Sequence, residues 1–163
     1  MSEYVLRTAR MEDLEALAEL EALCFLPAEA ASREVLAERL RIYRDRFLLL
    51  TDGERILSFV NGFTTDLRDL TDEMYADPML HDPGGAWQMI FGLDTHPDVR
   101  GRGLAGILMR RYISDAGAQG RKGLVLTCKE SLLGYYSRFG FRDEGISLSV
   151  HGGAVWHQMR CLI

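Results

Sequence analysis

Gly101, Gly103 and Gly106 fall in the spacing G-x-G-x-x-G within the stretch R-G-R-G-L-A-G, residues 100–106. Glycines at a helix start let backbone N–H groups come close to an anion. The unpaired amides of the first turn and the positive end of the helix dipole then favour a phosphate there. Arg100 and Arg102 add charge. Dinucleotide-binding turns share this spacing, but they place the first glycine directly after the first strand of a βαβ set and an acidic residue about 20 residues later. Here His96-Pro97-Asp98-Val99-Arg100 comes first, the unit begins past mid-chain, and Thr127 and Cys128 stand where the acid should. No G-K-[ST] follows, which excludes a Walker A loop. A phosphate-holding helix start of another kind remains, against the competing reading of a helix packed tightly on its sheet through small residues.

A second chemical feature is acidic. Asp66, Asp69, Asp72, Glu73, Asp77 and Asp82 stand against the single base Arg68 between Thr65 and Gly85, so this stretch accounts for the whole net charge of −5. It is either a solvated loop or a place that attracts a cation. His81 lies inside it. Tyr136, in Y-Y-S-R-F-G-F, carries a hydroxyl with an ordinary pKa of about 10. Cys128 has no partner histidine in view and reads as an inert buried thiol. His96 reads as shaping the turn into the glycines.

The elements that must carry these residues alternate regularly. A strand is expected over residues 4–8, then a helix over 12–24 with Leu14, Leu17, Leu20 and Leu23 on one face. Ser32 starts a second helix. Apolar runs at 47–50 and 56–63 are split by Asp52-Gly53, a hairpin signal. Residues 65–85, with Asp-Pro twice, read as a long loop or insertion of the kind that is usually functional or disordered. Residues 87–95 form a nearly continuous apolar run expected to be one central strand. A helix over 104–118 follows, with Leu104, Ile107, Leu108, Tyr112 and Ile113 on one side. A buried strand at 123–128, a short helix at 131–138 and two closing strands at 141–150 and 154–163, joined at Gly152-Gly153, complete a mixed α/β layer structure.

Composition narrows the classes. At 163 residues and 47% hydrophobic, the chain supports one sizeable core and reads as a single domain, 1–163. No run approaches the roughly 18 apolar residues of a membrane span. The opening M-S-E-Y-V-L-R-T-A-R has no apolar h-region. Three cysteines without a C-x-x-C pair argue against a disulfide framework and against zinc. A cytoplasmic protein is expected. No basic face marks a nucleic-acid binder.

The order strand, H-P-x-x-R-G-x-G-x-A, amphipathic helix, strand, Y-x-R-F-G-F resembles the GNAT superfamily of acetyl-CoA-dependent N-acetyltransferases. The resemblance implies a twisted, mixed, mostly antiparallel sheet of about seven strands flanked by about four helices. It also implies acetyl-CoA as cosubstrate without a metal, and direct attack by an amine in a ternary complex. Its R/Q-x-x-G-x-G/A turn falls on Arg100, Gly101, Arg102, Gly103, Leu104 and Ala105, with Leu93, Asp94 and Thr95 as further cofactor contacts. L-T-C-K-E-S-L-L-G-Y-Y-S-R-F-G-F is similar to the arylalkylamine branch, whose general acid falls on Tyr136. That branch's two strand histidines are Met89 and Phe91 here, so its amine specificity is not inherited. Met89 and Phe91, with Asp72, Glu73 and His81, are expected around the acceptor, a small and cationic amine. A coenzyme A-binding module without catalysis and an acetyltransferase of protein or peptide amines are the alternatives. Membrane and nucleic-acid partners are not expected, and a homodimer is left open.

Overall fold

In the computed structural model, which describes residues 3–163, residue contacts divide the chain into two compact units. One comprises the residues up to Asn61 with Gly92–Tyr112, and the other Gly62–Phe91 with Ile113–Ile163.

The first unit is built on an antiparallel sheet in the order β1 (Val5–Thr8), β2 (Leu48–Thr51), β3 (Ile56–Asn61), β6 (Gly92–Thr95). Local chemistry sets its corners. Asp52 Oδ1 accepts the amides of Glu54 and Arg55, closing the β2–β3 turn, and the register shifts between Leu50 and Thr51. Helix α2 (Arg33–Tyr43) starts where Ser32 Oγ accepts the Val35 amide at 3.2 Å, a cap typically worth about 1 kcal/mol. Helix α1 (Leu14–Cys24) packs on α2 and β6. Its interior face departs from the expected leucine stripe. Leu17 and Leu20 are buried, but Leu23 is 52% exposed and Glu21 is buried instead. The 3.6-residue period places Glu21 one turn after Leu17, on the face that packs. Leu36, Leu40, Tyr43, Phe47 and Phe59 fill the rest of the core, Phe47 stacking on Phe59 at 6.3 Å.

The second unit has five strands in the order β4 (Thr64–Thr65), β5 (Trp87–Ile90), β7 (Gly123–Cys128), β9 (His157–Leu162), β8 (Arg142–Ile146). Only β5 and β7 run parallel. Met89, Leu124, Val125, Leu126, Phe141 and Met159 are buried in it. Helix α4 (Leu104–Ala118) contributes its first nine residues to the first unit and the rest to the second. Helix α5 (Leu133–Ser137) is shorter than expected because its first turn is a 3-10 turn at Glu130–Leu132.

Two further expectations are corrected. Residues 87–95 are not one strand: Phe91 lies outside both sheets, β5 pairs with β7, and β6 pairs with β3. Apolar continuity marks burial and is blind to which neighbour takes the hydrogen bonds. Residues 65–85 are not a bare loop either. They contain α3 (Asp72–Ala76) and a 3-10 turn at Pro78–Leu80, and Arg121 holds the segment through the carbonyls of Pro83 and Gly85 at 3.0 and 2.6 Å. The described residues thus carry nine strands and five α-helices, where about seven and four were expected. One extra strand comes from the break of 87–95 into β5 and β6, and the other is the two-residue β4 beyond the expected end of the 56–63 strand.

Candidate active site

Gly101 and Gly103 have φ of +80° and +77°, and nothing lies within 4 Å of where a Cβ would stand on either. A side chain at these positions is excluded by backbone strain, not by crowding. Both residues are exposed, as are Arg100 and Arg102. The first helical bond of α4 runs from the Ile107 amide to Gly103 O at 3.2 Å, so the amides of residues 103–106 are left over by the helix. Leu104 is buried and Ala105 half-buried, anchoring the turn. Arg100 Nε donates to Thr95 O at 3.0 Å, which ties the turn to the end of β6. His96 Nδ1 accepts the Asp98 amide at 3.1 Å and caps the intervening 3-10 turn.

Within the same unit lies a polar cluster that the sequence did not announce. Asp94 has no exposed surface, and Glu21, Arg39 and Asn61 around it are buried. Leu93 and Thr95 are half-buried, but the Asp94 side chain is turned into the interior, so any contact it made with a cofactor would be through its main chain. Glu21 Oε2 accepts the Ala31 amide at 2.8 Å, fixing the loop between α1 and α2. Arg39 Nη1 donates to Asn61 Oδ1 at 3.0 Å. Among the described residues both Asp94 oxygens, Glu21 Oε1 and Asn61 Nδ2 are buried without a hydrogen-bond partner. Burial first, and the charge of Glu21 second, hold the Asp94 carboxyl well above the usual range, with Arg39 opposing. The one sequence signal was a glutamate inside the apolar stripe of α1.

The second unit carries a cleft of about 430 Å³. Asp69, Asp72 and Glu73 from the insert line it, with Glu144, Ser147 and Gln158 opposite. The expected Asp72 and Glu73 are therefore brought together, whereas Met89, Phe91 and His81 do not border this cleft. Met89 is fully buried. His81 Nδ1 accepts the Thr64 amide at 3.2 Å, and Phe91 packs at 5.0 Å from Phe63 and 5.1 Å from Tyr75. The carboxylates are not equivalent. Buried Arg160 donates to Asp69 at 2.9 Å and to Glu144 at 3.0 Å. Although Glu144 is partly desolvated, hydrogen bonds from Arg160 and Gln158 keep its pKa below the usual value. Asp72 accepts the Ser149 hydroxyl and, at 3.0 Å, the Val150 amide, so it clasps the β8–β9 loop. His151 of that loop stacks on Tyr75 at 4.8 Å. Glu73 is exposed on the rim. Arg160, alternating with apolar neighbours on β9, was the sequence sign of this counter-charge.

Tyr136 is half-buried on α5, its ring edge-on to Tyr135 at 5.2 Å and to Phe141 at 6.1 Å. Burial raises the Cys128 thiol to about 11, and its Sγ faces Met159 Sδ at 3.6 Å, an environment that disfavours the thiolate. Among the described residues no group of three or more His, Cys, Asp and Glu is placed to hold a metal, and no helix is long and apolar enough to cross a membrane.

The chain thus joins a mixed α/β fold to a glycine turn that opens a long helix, with a broken strand before it and a tyrosine-bearing helix after it. The profile of the acetyltransferase (GNAT) family matches residues 14–141, and the chain belongs to that family. Among curated proteins it is similar to serotonin N-acetyltransferase of Mesocricetus auratus, 30% identical over 108 residues, which is 66% of this chain and 51% of that protein. The chain thus spans about half the length of the curated relatives it matches. Among solved structures it resembles the loading GNATL domain of CurA from Lyngbya majuscula, with TM-score 0.85, 17% identity and 98% of each chain covered. It also resembles the GphF GNAT-like decarboxylase in complex with isobutyryl-CoA, with TM-score 0.83, 22% identity and 97% and 98% covered. At these identities the structural likeness bears on the fold.

Proposed function

We propose that the protein is an acetyl-CoA-dependent N-acetyltransferase acting on the primary amine of a small cationic acceptor. The observation that carries this reading is the exposed turn at Arg100–Ala105, whose positive-φ glycines open α4 inside the family-matched residues. Its leftover amides suit the pyrophosphate of coenzyme A, with Arg100 and Arg102 supplying charge. Leu93 and Thr95 extend the cofactor path along β6. Backbone amides near Phe91–Leu93, where the strand changes partners, suit the developing oxyanion. Tyr136 is the proposed donor to the departing thiolate.

The acceptor reading rests on the acidic cleft. Among the described residues Glu73 on its rim has no ion pair, while Arg160 compensates Asp69 and Glu144. Amine recognition here is therefore carried by Glu73 and the outer face of Asp72. Met89 and Phe91, at the positions of the arylalkylamine branch's histidines, favour a second reading, a coenzyme A-binding module without turnover. One experiment separates the two: acetyl-CoA is mixed with polyamines, arylalkylamines, amino acids and aminoglycosides, and released thiol is followed alongside thermal stabilisation by coenzyme A. Stabilisation with thiol release that depends on one amine class supports the enzyme. Stabilisation without thiol release for any amine supports the module, and no stabilisation removes both.

A further inference from the structure

We propose that the cleft of the second unit holds a nitrogen of the acceptor that does not react, so that the acceptor is an aliphatic diamine or longer polyamine; this rests on the N-acetyltransferase reading above. The reacting amine must shed a proton before it attacks a thioester. A nearby carboxylate works against that loss, because it favours the charged form of an amine. Four carboxylates border the cleft of about 430 Å³. Arg160 lies 2.9 Å from Asp69 and 3.0 Å from Glu144, and Arg68 lies 3.7 and 3.9 Å from the same two. Asp72 is held by neutral groups, the Ser149 hydroxyl and the Val150 amide, and Glu73 stands exposed on the rim. Among the described residues these two face no cation. A cleft with that excess keeps an ammonium group protonated, and a nitrogen held there is a handle, not a nucleophile.

The same unit gives the other end of the acceptor a direction. Asp72 and Tyr75 stand three positions apart on α3 and so share a face. Both meet the β8–β9 loop, Asp72 at Ser149 and Val150 and Tyr75 by stacking on His151 at 4.8 Å. On its other side the Tyr75 ring lies 5.1 Å from Phe91, where β5 ends and the stretch assigned above to the carbonyl oxygen begins. One helical step of about 5–6 Å and one ring step of similar size separate Asp72 from Phe91, so the two ends are on the order of 10 Å apart. Leu70, Ile146 and Leu148 border the cleft between its polar groups, and Ile146 and Leu148 are largely exposed; they suit the methylenes that join two nitrogens. Beside the half-buried rings of Tyr75 and Phe91 loss of water favours the neutral amine, while the carboxylates favour the charged one. Proton loss is thereby directed to one nitrogen of the two.

The test pairs α,ω-diaminoalkanes of increasing chain length with the n-alkylamines in which a methyl group replaces one ammonium, so that length and reacting amine are kept and one cation is lost. At the best chain length the wild type is expected to favour the diamine in kcat/KM by about five- to thirtyfold, beyond the roughly twofold that two equivalent ends supply. Glu73→Gln and Asp72→Asn should each lower that ratio about two- to fivefold. Mass spectrometry should find the monoacetyl diamine accumulating, because a second transfer would have to seat a neutral amide in the cleft. Retained stabilisation by coenzyme A shows that each variant is folded. A wild-type ratio of about two or less at every length, a ratio that both variants leave unchanged, or a second acetylation as fast as the first overturns the role of the cleft and leaves the N-acetyltransferase reading standing. So does thiol release confined to another amine class. A wild-type protein that releases thiol with no amine overturns that reading and this inference together.

Discussion

A carboxyl with no exposed surface costs stability unless it keeps its proton or finds donors, and among the described residues neither Asp94 oxygen has a hydrogen-bond donor. Its pKa is raised in the fold, so its contribution is fully present below the unfolded value of about 3.9 and is lost as pH rises through the folded value. Asp94→Asn removes that dependence and gives Glu21 Oε1 an amide donor. The variant should therefore melt at a higher temperature than wild type at pH 8, with the gap closing toward pH 4. A variant that melts lower at pH 8 would show that interactions made by the Asp94 carboxyl outweigh the cost of its burial. The second residue prediction concerns Tyr136, whose ring contacts with Tyr135 and Phe141 are independent of its hydroxyl. Tyr136→Phe should cut kcat by roughly 10 to 1,000-fold with little change in coenzyme A affinity. Turnover at the wild-type rate would leave the ring a purely packing role.

The glycine turn and the acidic insert make their own claims as elements. At Gly103 the backbone sits at φ +77°, where a β-branched residue is badly strained. Gly103→Val should abolish stabilisation by coenzyme A while the rest of α4 still forms, as circular dichroism can check; undiminished stabilisation would sink the phosphate assignment. The insert is clasped to the β8–β9 loop by Asp72, which holds Ser149 and Val150, and by the Tyr75–His151 stack. Asp72→Asn keeps the shape but weakens a charge-assisted bond. It should speed amide exchange at Val150 and raise KM for the amine several-fold without altering KM for acetyl-CoA. The insert looked like a loop because Asp, Pro and Gly dominate it, and propensity outweighs pattern over five helical residues. What orders it is distant in sequence: Arg121, Arg160 and Ser149 supply the partners.

For the molecule as a whole, the net charge of −5 arises in the insert, yet Arg160 and Arg68 stand among its acids, so long-range steering of a cationic acceptor should be modest. Raising ionic strength to 1 M, where the Debye length falls to ~3 Å, should lower kcat/KM for the amine by no more than about tenfold; Glu73→Gln should remove most of that salt dependence. A dependence that survives the substitution would place the acceptor elsewhere. The order of strands and helices, the Ser32 cap, the Asp52-Gly53 turn and the Gly101–Gly103 turn could all be read from residue types, because each is set by neighbours within a few positions. The break at Phe91 could not, since hydrogen bonds made by β5 and β6 are decided by strands far off in the chain. The same holds for the burial of Glu21 and Asp94. They lie 73 positions apart in sequence, each looks ordinary on its own element, and only packing α1 against β6 takes both out of water and turns them into a pair.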